Sequence, residues 1–160
     1  IPPSLLLEVV VQERPDDAGS GKVRTAMHER ALSCVLLADR HHGLTEAVRG
    51  LLEAEFATVV MVADEVSFLE GSIRLQPDVA VVDLALARDS GLGWLRTVRQ
   101  RCPDIKVIVL SVHDEASVCQ AAMDAGADAF VVKRSISTDL LAAVEHVRGH
   151  RSHRSEPMGV

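Results

Sequence analysis

The stretch Asp78-Val79-Ala80-Val81-Val82-Asp83-Leu84 constrains this chain more than any other. An unbroken apolar run that ends on a carboxylate is the pattern of a strand buried on both faces of a parallel sheet. Such a strand needs helices on both sides of the sheet. In open α/β sheets, ligands sit beyond the carboxyl ends of the strands, which is where Asp83 stands. Alone, Asp83 is more simply a strand terminator that caps the next segment. It is not alone, because three other strands deliver polar residues to the same edge.

From Ser33 onward, strand and helix patterns alternate. Cys34 to Ala38 is a buried strand that runs into Asp39-Arg40-His41-His42. Leu44, Ala47, Val48, Leu51 and Leu52 then recur at helical spacing and predict one apolar face. Thr58 to Val62 is a second strand, and Asp64 to Leu75 a second helix with Val66, Leu69 and Ile73 inward. Pro77 stops that helix ahead of the strand bearing Asp83. Leu92 to Arg101 is a third helix, with Leu95 and Val98 inward and the lone Trp94 packing there, and it is broken by Pro103. Lys106 to Leu110 is a fourth strand ending in Ser111. Asp114 to Ala125 is a fourth helix, with Val118, Ala121, Ala122 and Ala125 inward and Gly126 as its cap. Ala129 to Val132 is a fifth strand ending in Lys133. Ser137 is read as the N-cap of a fifth helix, with Leu140, Leu141, Val144 and Val147 inward and Gly149 as its end. Five β-α units with right-handed crossovers predict a doubly wound five-stranded parallel sheet in the flavodoxin-like order 2-1-3-4-5. The strands ending in Asp39 and Asp83 then flank the switch point.

This repeat sets the domain at residues 31–149, with an N-terminal extension (1–30) and a C-terminal tail (150–160). Within the extension, Leu5 to Val11 could form a strand or a short helix. Met27 reads as a native start, which makes 1–26 leader or added sequence. Gly19-Ser20-Gly21-Lys22 lacks the first glycine and the Ser/Thr of a phosphate-binding loop, with Val23 in the latter's place. His146, His150 and His153 have helical spacing, but a helix ending at Gly149 would not line them up as metal ligands. The tail after Arg148 is too short for a helix-turn-helix.

Composition removes several functions. Aromatic residues are 2% of the chain and the formal net charge is −6. The chain itself is therefore expected to make no nucleic-acid contact by base stacking or phosphate neutralisation. Three widely spaced cysteines without a CxxC suggest reduced thiols and a cytoplasmic protein. No apolar run reaches the ~20 residues of a membrane span.

The strand ends converge on Asp39, Arg40, Asp83, Ser111 and Lys133. Two neighbouring carboxylates can hold a hard cation such as Mg²⁺. An aspartate beside it can attack a phosphoryl group, while a hydroxyl and an ammonium bind the transferred oxygens. Any one of these is what a buried strand commonly ends on. Together, each on its proper strand, they are specific.

Residues 31–149 resemble the receiver domain of two-component response regulators, in particular the nitrate-response and nodulation-regulator type. The likeness is carried by Leu37-Ala38-Asp39-Arg40-His41, by Val82-Asp83-Leu84 with Gly91-Leu92, by Leu110-Ser111-Val112-His113, and by Ala125 through Lys133. It implies a switch rather than an enzyme acting on an outside substrate. Asp83 would take phosphate from a histidine kinase, with Mg²⁺ held by Asp39, Asp83 and the backbone of Ala85. Ser111 and Phe130 would be the switch residues, and Lys133 the phosphoryl-pairing cation. The fourth helix, fifth strand and fifth helix would form an output face for homodimers. Transcription would be controlled through an effector domain outside this chain.

The chain departs from the family pattern in three places: Arg40 replaces an acid, Leu86-Ala87 replaces Met-Pro, and Arg134 stands where many receivers have proline. Arg40 raises the alternative of a pseudo-receiver, an interaction module with weak or no Mg²⁺-dependent phosphorylation. A hydrolase using Asp83 as nucleophile is disfavoured for want of a second general acid/base.

Overall fold

A computed structural model describes residues 8–11, 33–87 and 91–153. The Gly19–Lys22 motif, Met27 and the last residues of the tail lie outside them. In chain order the elements are β1 (Glu8–Val11), β2 (Cys34–Ala38), α1 (His42–Glu53), β3 (Thr58–Val62), α2 (Glu65–Leu75) and β4 (Val79–Asp83). There follow α3 (Gly93–Arg101), β5 (Lys106–Ser111), α4 (Ala116–Asp124), β6 (Ala129–Val132) and α5 (Ile136–His153). Short 3₁₀ turns at Leu84–Leu86 and Lys133–Ser135 follow β4 and β6.

The sheet order is β1-β3-β2-β4-β5-β6. The last five strands are parallel and take the expected order 2-1-3-4-5 among themselves. The strand option for the N-terminal segment is the one realised: β1 adds an antiparallel edge, pairing Glu8 with Met61 and Val11 with Thr58. The central strands are buried along their whole length, as their apolar runs require. Apolar residues pack on both faces. Leu36, Val60, Phe68, Val82 and Leu95 lie in one cluster; Leu37, Val48, Leu52, Val81, Leu140 and Val144 lie in the other.

Helix α2 corrects part of the expected inward face: Leu69 packs against the core, but Val66 and Ile73 do not. Val66 is 65% exposed and Ile73 37%, whereas Ser67, Phe68, Gly71 and Ser72 are buried. The ring of Phe68 carries more apolar area than either aliphatic residue, and it meets Trp94 edge to face at 5.6 Å. Gly71 permits this rotation, because a Cβ there would stand 3.3 Å from Leu36. The Ser72 hydroxyl is satisfied by donating to the Phe68 carbonyl at 2.8 Å. Similarly, Ala47 and Ala121 prove exposed, leaving Val48, Leu52 and Ala122 to fill the core.

Helix α5 corrects both ends of the fifth helix. The 3₁₀ turn leads directly into Ile136, so Ser137 is exposed within the first turn and is not its N-cap. Gly149 does not end the helix, which continues to His153. An interior glycine costs only about 1 kcal/mol, and Arg148 over the Phe56 ring at 4.8 Å holds this turn against the domain. The α3 and α4 starts move inward by one and two residues.

Candidate functional site

The site lies at the carboxyl edge of the parallel strands, and register puts it together. Ala38 pairs with Val82, Asp83 with Leu110, and Ser111 with Val132. Asp83 and Ser111 therefore end their strands, while Asp39 and Lys133 follow theirs by one residue. The Asp39 amide donates to the Val62 carbonyl at 3.1 Å, anchoring the first of these against β3.

Asp83 is 3% exposed and has both oxygens engaged. Oδ1 accepts from the Ala85 amide at 2.8 Å, and Oδ2 accepts from Lys133 Nζ. Asp39, also 3% exposed, accepts from the His41 amide through Oδ1 at 2.8 Å. Its Oδ2 is buried without a hydrogen-bond partner and stands 3.8 Å from Lys133 Nζ. One lysine thus faces two carboxylates. At 3.8 Å the second attraction is ~4 kcal/mol at an effective dielectric near 20, before desolvation is subtracted. Burial pushes the Asp39 carboxyl above its ordinary value. The His41 amide opposes that shift, the Asp83 charge adds to it, and Lys133 opposes it.

Of the expected site residues, Lys133 is in contact with both Asp39 and Asp83. Ser111 is 2% exposed at the adjoining strand end, its Oγ accepting from the His113 amide at 3.0 Å. Phe130 is half-buried on β6, packed against the cluster beneath α3 and α4. Ala85 contributes its amide to Asp83, and its carbonyl remains a candidate oxygen ligand. Arg40 is half-buried, and no ion pair joins it to Asp39 or Asp83 among the described residues. His146 belongs to no metal-binding cluster among the described residues.

Sequence reasoning missed the pair Arg134–Asp114, 2.7 Å apart, which links the segments following Lys133 and Ser111. It also missed Arg99, which donates to the carbonyls of Ile105 and Gly126 and to Asp128. Neither follows from periodicity, since the partners are 20 and 29 residues apart.

The donor set suits a hard cation in kind. It offers two carboxylates, one with a buried oxygen lacking a hydrogen bond, and a nearby backbone carbonyl. Fold and site together define a response-regulator signalling domain. The chain belongs to the response regulator receiver domain family, whose model matches residues 35–145. It is 31% identical over 115 residues to the transcriptional regulatory protein DegU of Brevibacillus brevis, covering 71% of this chain and 49% of that protein. It is 34% identical over 112 residues to the nitrate/nitrite response regulator protein NarP of Escherichia coli, covering 69% and 52%. A crystal structure of a LuxR-family two-component response regulator from Aurantimonas matches with a TM-score of 0.67 at 28% identity, over 73% of this chain and 86% of that one. The chain spans about half the length of the curated relatives it matches. Receiver domains are signalling proteins that typically interact with histidine kinases and generally bind Mg²⁺ at the phosphorylation site. No helix among the described residues is long and apolar enough to cross a membrane.

Proposed function

We propose that Asp83 is a phosphoacceptor and that the domain is a phosphorylation-gated switch. The observation that carries this is the Asp83 carboxylate itself, buried and oriented by the Ala85 amide and Lys133. In the transfer, the P–N bond of a kinase phosphohistidine breaks and a P–O bond to Asp83 forms. The imidazole leaves and recovers its proton balance with solvent. Lys133 pairs with the phosphoryl oxygens, and Ser111 moves toward them as Phe130 turns inward. Asp39, Asp83 and the Ala85 carbonyl would hold Mg²⁺, which would neutralise charge on the phosphoryl group. The face formed by α4, β6 and α5 is the proposed dimer contact. The relatives DegU and NarP are named as transcriptional and response regulators, which supports control of transcription through an effector domain. The protein and its Asp83→Asn variant, incubated with acetyl phosphate or a kinase, should differ in phosphoryl mass. Equal incorporation in the two rejects the assignment.

Arg40 favours a second reading, a pseudo-receiver used for interaction. Asp39 and Asp83 are offset by Arg40 and Lys133, so the four site residues carry no formal net charge. A dication prefers anionic oxygen, and one anionic ligand has been exchanged for a cation. Arginine can hold phosphate bidentately, but it does not supply the metal's orienting role. Calorimetry at fixed ionic strength should show Arg40→Asp binding Mg²⁺ at least several-fold more tightly than the unaltered chain. Equal affinities would remove the reason for preferring the pseudo-receiver.

A further inference from the structure

We infer that Arg134 is a positioning residue: paired with Asp114, it ties the loop after Ser111 to the turn after Lys133 and sets where Ser111 stands beside Asp83. The loop between β5 and α4, residues 112–115, is exposed throughout, and Val112 is 69% exposed. It has little packing to fix it. Its local contacts include the His113 amide on Ser111 Oγ at 3.0 Å, His113 Nδ1 near Glu115 at 3.6 Å, and the Glu115 carbonyl, which accepts from the Val118 and Cys119 amides of α4. Among the described residues, the one side-chain bond from this loop to another part of the chain is Arg134 Nη2 to Asp114 Oδ2, at 2.7 Å.

Both ends of that bond lead to the site. Arg134 follows Lys133, which holds Asp83, inside one short 3₁₀ turn. Asp114 lies three residues beyond Ser111, whose hydroxyl is already bound to the amide of His113. Ser111 and Val132 are paired in register, so the ion pair closes a small ring across the two strand ends. A proline, the residue many receivers carry at the Arg134 position, has no donor to close it. A movement of the Ser111 backbone and its loop toward a phosphoryl group would carry Asp114 and either stretch this bond or take Arg134 along. The Arg134 guanidinium, bonded to it, also holds the Asp114 carboxyl below its ordinary value. Exposure limits the effect. A surface pair of this kind shifts an equilibrium by about two- to five-fold, which suits a bias on a loop rather than support for a fold.

The consequence for phosphoryl transfer rests on the Asp83 reading, while the effect on the loop does not. The test uses Arg134→Gln, Asp114→Asn, the two combined, and the exchanged pair Arg134→Asp with Asp114→Arg. In the unphosphorylated protein, amide hydrogen exchange across 112–115 should quicken two- to five-fold in each single variant, on the same surface-pair scale. The combined variant should be no faster than the singles, and the exchanged pair should return toward the original. The Ser111 amide resonance should shift in the singles and recover in the exchange. Raised salt should shrink the difference between original and single variants. Unchanged exchange and an unmoved Ser111 resonance overturn the inference. So do additive effects of the two singles. With acetyl phosphate, the singles should change the rate of phosphoryl uptake by a similar factor. Uptake at an unchanged rate, in a protein whose original form is phosphorylated, overturns the claim that the pair places Ser111. If no form takes up phosphate, the Asp83 reading fails, and the exchange and resonance data still decide whether the pair holds the loop.

Discussion

Lys133 and Arg134 are consecutive cations on one turn, yet their ion pairs belong to different physical regimes. The Lys133 side chain is 12% exposed, and its partners on Asp83 and Asp39 are 4% and 1%. The Arg134 side chain is 70% exposed and its Asp114 partner 50%. In the first pair, charges out of water attract strongly and are costly to leave unmatched. In the second, water screens the attraction and supplies a substitute when it breaks. The same bond chemistry therefore maintains a charged site in one place and biases a loop in the other.

The sharpest break of this contrast is Lys133→Met, which leaves Asp39 and Asp83 buried without their cation. In chelator, urea denaturation should show a loss of about 3–5 kcal/mol. That is within the ~5–15 kcal/mol of an ordinary domain, so the variant should fold and fail to respond. Adding Asp83→Asn to that variant should recover much of the loss, because one of the two unmatched charges goes. A loss below about 1 kcal/mol would mean that Coulomb gain and desolvation already cancel.

Arg99 lies between the two regimes. It is a quarter exposed, and it satisfies the Gly126 and Ile105 carbonyls while pairing with Asp128. Asp128 in turn accepts from the Val107 amide at 2.8 Å. Arg99→Ala should cost about 1–3 kcal/mol by leaving these acceptors unmatched, and phosphoryl uptake should be unaltered. A change in uptake without a change in stability would place Arg99 with the site instead of with the scaffold.

The smallest effect belongs to Asp114. Its folded carboxyl is held below the ordinary aspartate value, so the pair's contribution is present above that value and is lost as pH falls through the lowered one. The urea midpoint of Asp114→Asn should fall only slightly below the original near neutrality. Loop exchange in the two proteins should differ near neutrality and converge at acid pH. A difference that persists in acid would show that the carboxylate charge is not what holds the loop.

Much of this protein was legible before any coordinates. The apolar runs at Val35–Ala38, Val79–Val82 and Val107–Leu110 require burial on both faces, and that alone implies a parallel sheet between two helical layers. Polar residues at the ends of such runs fall on one edge, because parallel strands all point the same way. Asp39, Asp83, Ser111 and Lys133 could thus be grouped from spacing and order.

Tertiary structure decided what depends on competition between neighbours. On α2 two stripes were available, and the chain buried Phe68 over Gly71 instead of Val66 with Ile73, because Gly71 lets the helix close on Leu36. On α5 the helix passes Gly149, because local propensity costs less than packing can return. At the edge of the sheet, β1 takes the antiparallel place beside β3, a choice that Glu8 and the three valines after it left open. In the site, which carboxylate takes Lys133 and which keeps an oxygen without a hydrogen bond is settled by how three strand ends are placed against one another. The Arg134–Asp114 and Arg99–Asp128 pairs join residues 20 and 29 positions apart. Pattern in a sequence records what each segment needs from solvent; which distant side chains meet is set only when the layers close.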